Sequence, residues 1–427
     1  GAPPEAAAEP LPLWGAEVLA PMVRASTLPL RMECLRYGAD LVWGEEIIDK
    51  KVIGGVRVEN PAFGTVDYVS PTDKGLFFNT RPEERDRVIF QLGTADPVLS
   101  VEAALTVCRD VRGIDINMGC PKSFSVRGGM GAALLEKPEV ASEILKSLRR
   151  NLPAGNSLTC KIRMLATTEK TRDFMRCCEA SGAEAITVHC RTRAERPAQP
   201  AHWDEIVRLW DAVRVPVIAN GDFFSRRQID EFWKHCCSNL GGDTLEEYVK
   251  QRRGPAAVMV ARGAMWNPSV FCRGGREPPS FEEVCRNYAL SSIASNATQQ
   301  NTRWMLNNLN TGGPGVTPPT HFDGKLLRDF GKAVNVAKSM AGICGLLGVP
   351  YTASAWPAQA HTPNYYRGSA GSAAFEEALA RVSAPKGAGV DLSPAGADKR
   401  ALAEGGAADG GDVAGDGSSA KKAKVDA

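Results

Sequence analysis

The chain has 427 residues, enough for a full-size buried core plus a second small domain or a tail. Its 51 basic and 49 acidic residues leave a net charge of +2, so any nucleic-acid binding would need a local basic surface rather than overall charge. No apolar run reaches the roughly 18 residues of a membrane span, and the Pro/Ala-rich, acidic start GAPPEAAAEP lacks the basic and apolar regions of a signal peptide.

Residues 1–15 read as a disordered N-terminal segment. Beyond them strand-like and helix-like segments alternate. EVLAPMV (Glu17–Val23) is the first expected strand, Leu28–Tyr37 a helix, and DLVWGEEI (Asp40–Ile47) the second strand. A detour follows, in which TVDYVS and GLFFNT suggest a surface hairpin. RVIFQLG (Arg87–Gly93) is the third strand, Pro97–Asp110 a helix, and GIDINMG the fourth strand, ending in the turn that carries Cys120 and Pro121. The Gly-rich stretch RGGMGAALL (Arg127–Leu135) does not directly follow a strand. It is therefore read as a mobile loop carrying Cys120 rather than a phosphate cradle. Glu139–Asn151 is helical, LTCKIRM (Leu158–Met164) the fifth strand, Thr168–Ser181 helical, and AITVHCR (Ala185–Arg191) the sixth strand. His202–Val213 is helical, VPVIANG (Val215–Gly221) the seventh strand, and AAVMVARG (Ala256–Gly263) the eighth.

These strands are short, nearly continuous apolar runs, the signature of strands buried on both faces. Strict alternation with helices implies a parallel sheet, and eight units over about 250 residues match a (β/α)8 TIM barrel. An open doubly wound sheet is the alternative. The barrel is assigned to residues 16–275 and a small C-terminal helical domain to 276–350. That domain has helical pattern from Ser280 to about Asn310 and again over Lys325–Leu347, with an apparent insertion at Thr311–Gly324. Residues 351–427 are rich in Ala, Gly, Ser, Pro and Asp and read as a low-complexity, disordered tail. The twelve cysteines include the pairs Cys177–Cys178 and Cys236–Cys237 but no C-x-x-C. That is neither a disulfide framework nor a zinc pattern, so no metal is expected and a reducing compartment fits.

In such a barrel the C-terminal strand ends share one face, where active sites lie. The sequence brings there Pro21, Met22 and Val23; Glu45 and Glu46; Gln91; Asn117 and Cys120; Lys161 and Arg163; His189 and Arg191; Asn220, Gly221 and Asp222; and Ala261, Arg262 and Gly263. Lys161 and Arg163 point the same way on one strand, and two cations at the mouth suit an anionic or electron-rich ligand. The Gly-containing turns ANGD and ARGAMWNP follow the last two strands, where barrels often hold phosphate.

The segments LAPMV, FQLG, DINMGCPK, GGMGAALL, CKIR, VHCRTRAERP, VIANGD and VMVARGAMWNPS, in this order, resemble the dihydrouridine synthases over roughly Val18–Pro350. EEIID and MWNPS are most similar to the eukaryotic branch that modifies uridine 20 of the tRNA D-loop. The resemblance implies an FMN-binding barrel, with the flavin reduced by NADPH or NADH, followed by a helical tRNA-binding domain. It implies that Pro21, Met22 and Val23 line the flavin and that Gln91 and Lys161 bond its ring edge. His189, Asn220, Gly221, Asp222, Ala261 and Arg262 are expected around its phosphate. Cys120 is the implied proton donor to uracil C5. An ordinary thiol, with a pKa of about 8.5, suits a general acid at neutral pH. Asn117 and Arg163 are expected to read the uracil, with Lys161 shared. Lys122, Arg127, Arg191, Arg193 and Arg196 are expected near the RNA backbone.

Animal members of that branch carry a double-stranded-RNA-binding domain after the helical domain, and the biased tail does not read as one. RNA affinity is then expected from the barrel and helical domain. Competing readings are a flavin barrel acting on a small pyrimidine metabolite and a non-catalytic RNA-binding relative. A cytoplasmic location is expected, KKAK (Lys421–Lys424) being the one loose pointer to nuclear import.

Overall fold

The computed structural model describes residues 9–196, 198–275, 277–309, 324–367 and 369–383. Its strands are β1 (Ala16–Leu19), β2 (Leu41–Trp43), β3 (Ile47–Ile48), β4 (Val56–Asn60), β5 (Thr65–Val69), β6 (Leu76–Thr80), β7 (Val88–Gly93), β8 (Gly113–Met118), β9 (Ser157–Met164), β10 (Ala185–Thr192), β11 (Val217–Asn220) and β12 (Ala257–Val260). The apolar runs pair in parallel in the order β2–β1–β12–β11–β10–β9–β8–β7, and β2 also pairs with β7, which closes an eight-stranded barrel. All six residues of β7 and of β8 are buried, as strands covered on both faces require. Short β3 adds to the end of β7 through Ile47 and Ile48.

Helices return the chain between barrel strands, and several start at side-chain caps. Asp96 accepts from the backbone N–H groups of Val98 and Leu99, Thr167 from Lys170 and Ser225 from Gln228. Leu11 and Leu13 are buried with Ala16, Ile218 and Ala257 in the barrel interior. This corrects the N-terminal expectation for residues 9–15: two leucines are enough to plug the barrel. Residues 1–8 lie outside the described residues.

The expected hairpin is part of a three-stranded antiparallel sheet, because β4 also pairs with β5. It is tied to the barrel where Arg57 Nε and Tyr68 Oη donate to Asp110. The C-terminal helical segments are Phe281–Ala294, Gln299–Asn308, Gly324–Val336 and Met340–Leu347. The first expected helix is two: Asn296 takes φ +51° and Thr298 caps the second by accepting from Asn301 N–H. Most of the 311–324 insertion lies outside the described residues.

The tail expectation is corrected over residues 351–383. Tyr365, Tyr366 and Phe375 bury themselves with Val56, Val58, Phe63 and Val69, and a helix runs over Ser369–Ser383. A few aromatic residues suffice because the sheet supplies a ready apolar face. The remainder of the tail, including KKAK, lies outside the described residues.

Candidate active site at the barrel mouth

Parallel register sets the floor of the mouth. Gln91 lies beside Asp115, Asp115 beside Thr159, and Asn117 beside Lys161. Period-two geometry then turns Asp115 and Asn117 inward together, and likewise Thr159, Lys161 and Arg163. The polar atoms form a directional chain. Gln91 Nε2 donates to Asp115 Oδ2 at 2.7 Å and Thr159 Oγ1 to Asp115 Oδ1 at 2.6 Å. Gln91 Oε1, its orientation fixed by that contact, accepts from Asn117 Nδ2 at 3.2 Å. Asn117 Oδ1 accepts from the N–H groups of Gly119 at 2.9 Å and Cys120 at 3.0 Å. The Cys120 turn is thus aimed by a carboxylate at the barrel core. Burial pushes Asp115 up to about 6, against its hydrogen bonds and the charge of Lys161.

Behind the turn, Ala132 N–H donates to Cys120 C=O at 3.0 Å. Gly131 takes φ +59°, and a Cβ there would stand 2.4 Å from Ser125 Oγ and 2.7 Å from Cys120 O. The Gly-rich stretch therefore packs as a backing plate under Cys120. Cys120 is half-buried. Burial first, then the charge of Glu46, pushes its thiol up, so it is protonated at neutral pH.

Cations crowd the far side. Lys161 is pushed down to about 8, chiefly by burial and then by Arg163. It makes no side-chain hydrogen bond or ion pair among the described residues. Arg163 Nε donates to Gly119 O at 3.0 Å and Nη1 to Thr192 O at 3.0 Å, bracing the Cys120 turn. Burial and the charges of Lys161, Arg163, Arg191 and Arg262 hold His189 well below its usual value, hence neutral.

Asp222 is the carboxylate in this group. Its oxygens accept from Arg191 Nη2 at 2.7 and 2.6 Å, one also faces Arg262 Nη2 at 3.3 Å, and Ala201 N–H donates to it at 2.7 Å. The adjacent Gly221 takes φ +132°, and a Cβ there would meet Ala201 Cβ at 2.8 Å. Asp222 therefore orients two arginines, and its side chain is taken up by them and by the Ala201 N–H. Arg191 is 2% exposed, so it belongs to this group and not to an RNA-facing surface. Asn220 Nδ2 donates to Met259 O at 2.8 Å and ties β11 to β12. Arg262 lies over the Phe224 ring at 4.7 Å, and Ala261 precedes its helical turn. Pro21 and Met22 line the rim half-exposed, and Val23 is 42% exposed.

Asp115 and Thr159 were missed as site residues, although the alternation Asp115–Asn117 and Thr159–Lys161–Arg163 was the available signal. Glu46 was placed at the mouth but given no role.

A protonated thiol, a cationic pocket and an apolar barrel suit proton donation to an electron-rich ligand. The sequence profile of the family described as Dihydrouridine synthase (Dus) matches residues 18–309. The tRNA-dihydrouridine(20) synthase (NAD(P)+) of Schizosaccharomyces pombe is 40% identical over 303 residues, covering 69% of this chain and 59% of the relative. That of Saccharomyces cerevisiae is 38% identical over 316 residues, 70% of this chain and 78% of the relative. A tRNA-dihydrouridine(20a/20b) synthase (NAD(P)+) of Schizosaccharomyces pombe is 33% identical over 263 residues, 61% of this chain and 70% of the relative. The match runs from the first barrel strand into the C-terminal helices and contains every element that aims Cys120, so the chain belongs to the dihydrouridine synthase family.

Proposed function

We propose that this protein is a tRNA-dihydrouridine synthase that reduces the C5=C6 bond of uracil in the tRNA D-loop at position 20, with NADPH or NADH as electron source. The observation that carries this reading is the Cys120 thiol. It is kept protonated, and it is aimed from the Asn117 turn into a cation-lined mouth within the family match. The likeness to position-20 enzymes of two yeasts supports the position.

The pocket fits FMN on one observation: four cations surround a neutral His189, with Asp222 as their counter-charge. His189 and Arg262, with the backbone near Asn220, Gly221 and Ala261, would hold the phosphate. Gln91 and Lys161 would hold the ring edge, and Pro21, Met22 and Val23 would line it. When bound, reduced FMN supplies the hydride that uracil C6 requires, which no side chain can. This chain's part is to orient the base and move one proton. Lys161 and the second N–H of Asn117 Nδ2 face the uracil edge, and Arg163 holds the turn. The Cys120 S–H bond breaks as the C5–H bond forms. The target base must leave its stack, and exposed Lys122, Arg127 and Arg196 are suited to phosphate contacts. Arg193 is half-buried and paired with Glu136 at 2.7 Å.

The test is a map of dihydrouridine in tRNA from cells lacking the protein, restored with wild type or Cys120→Ala. Loss at position 20, rescued by wild type and not by the variant, is expected. Rescue by Cys120→Ala would overturn the proton-donor role, and no loss at any position would overturn the reaction.

A further inference from the structure

Beside the barrel mouth lies a cleft of about 500 Å³ that the chemistry above does not use, and it is large enough for a small ligand. Arg24 and Glu45 line it. They stand on the loops that leave β1 and β2, so one end of the cleft opens at the mouth. Its other walls are the β5–β6 turn at Asp73 and Gly75, the helical-domain residues Ser295 to Asn301, and residues 362–367. That last wall lies beyond the family match, which ends at residue 309.

Three exposed cations, Arg24, Lys51 and Arg367, reach the cleft from three separate elements. None of them forms an ion pair among the described residues. Two are held in place. Arg24 takes φ +69°, a left-handed backbone uncommon outside glycine, and its guanidinium lies over the Trp304 ring at 4.8 Å. Arg367 Nε donates to Asp73 O at 2.9 Å, which ties it to the β5–β6 turn. Buried Arg31 also lines the cleft but is paired with Glu84 at 2.7 Å. Of the acids there, Asp73 Oδ1 accepts from the Gly75 N–H at 3.0 Å within its own turn, and Glu45 has no ion pair among the described residues. Between the cations the wall carries hydroxyl and amide groups, Thr27, Ser295, Asn296 and Asn301. Ser295 is 2% exposed, and neither its Oγ nor Asn301 Oδ1 has a partner among the described residues. Such groups offer donors and acceptors together, as base edges do. Cations around a wall of amides match a nucleotide, with its phosphates and its base.

We propose that this cleft is a second nucleotide site, which takes the tRNA nucleotide next to the target uridine when that uridine enters the mouth. This rests on the functional reading above. Arg24, Lys51 and Arg367 hold the flanking phosphates, and the wall at Asn296 and Asn301 meets the base. Residues 362–367 thereby bind RNA together with the barrel and the helical domain. The site grips substrate equally before and during the reaction, so it sets affinity and not the rate of the chemical step. A nicotinamide nucleotide also carries phosphates and a base, and the test separates the two.

The experiment uses the full-length FMN-loaded enzyme and a tRNA transcript with uridine at position 20, binding being followed by fluorescence anisotropy against salt. Arg367→Ala and Lys51→Ala each weaken binding roughly tenfold and lower the magnitude of the log K against log salt slope by about one, while Arg367→Lys keeps the slope. Single-turnover reduction at saturating tRNA and flavin reduction by NADPH change less than twofold in all three. For the wild type, an abasic nucleotide on one side of the target weakens binding about tenfold. Unchanged tRNA affinity in both alanine variants, or full wild-type affinity for transcripts abasic on either side, would overturn the proposal. So would a raised NADPH requirement with tRNA binding intact, which would assign the cleft to the nicotinamide nucleotide. Should Arg367→Ala disturb the fold, Lys51→Ala decides, since Lys51 is exposed on the short helix Asp49–Val52. A wild-type enzyme that binds tRNA with these dependences and leaves its uridine untouched would overturn the functional reading alone.

Discussion

The barrel mouth and the face of the β4–β6 sheet both bury polar groups, and they put their hydrogen bonds to different uses. On the sheet, Asp67 is fully buried and its Oδ2 accepts from Tyr366 Oη and from Asn60 Nδ2, while Oδ1 has no partner among the described residues; aromatic neighbours such as Tyr365 and Phe375 pack near it. Those contacts join distant pieces of chain and serve the fold. At the mouth, Lys161 makes no such contact and Glu46 Oε1 has no donor among the described residues. Hydrogen bonds there aim Cys120 instead of closing on themselves. At the open mouth a ligand can complete the unpaired Lys161 ammonium, which a closed sheet face does not allow.

The comparison implies that the two regions are separable, and the largest effect should come from the sheet. Phe375→Ala, at a fully buried position, is expected to cost about 3–5 kcal/mol in urea unfolding. Activity per folded molecule should stay within twofold; a larger fall would break the separation. Next, Gly131→Ala should push the Cys120 turn off its line and lower single-turnover reduction roughly 100-fold, at a stability cost near 1 kcal/mol. A loss below about threefold would show that the backing plate does not aim the thiol.

The smallest effect is a pair of opposite pH slopes. Asp115 has its folded value raised to about 6, so its contribution is full below about pH 4 and is lost as pH rises through 6. His361 is 2% exposed, has no partner on either ring nitrogen among the described residues, and is lowered by burial to about 4. Its contribution is present above about pH 6.5 and is lost as pH falls through 4. Each amounts to about 3 kcal/mol. Urea midpoints from pH 4 to 7 should therefore steepen with pH in Asp115→Asn and flatten in His361→Phe. The same change in both variants would refute the assignment.

The barrel was legible because each strand carries its own burial in a continuous apolar run, as RVIFQLG does. The mouth was legible where alternation places a charged residue at a strand end, as for Lys161. Roles set by neighbours were not. Asp222 looks like any acid in a Gly-rich turn, and only the fold shows two arginines upon it. VRVEN was passed over as a strand because its burial depends on residues far along the chain. For the same reason residues 351–383 read as tail: they are rich in Ala with few large aliphatic residues, and the surface that receives Tyr365 and Phe375 exists only after folding.

That long-range clasp has a consequence for biosynthesis. Asp67 meets Tyr366, 299 positions later in the sequence. At roughly 5–20 residues per second, the ribosome needs about 15–60 s between making the two. Throughout that interval Val56, Val58 and Val69 have no cover from Tyr365, Tyr366 or Phe375. A nascent chain stalled before Tyr365 therefore presents a sticky β surface, a natural target for chaperones. A truncation removing the last helix would aggregate with its catalytic residues intact.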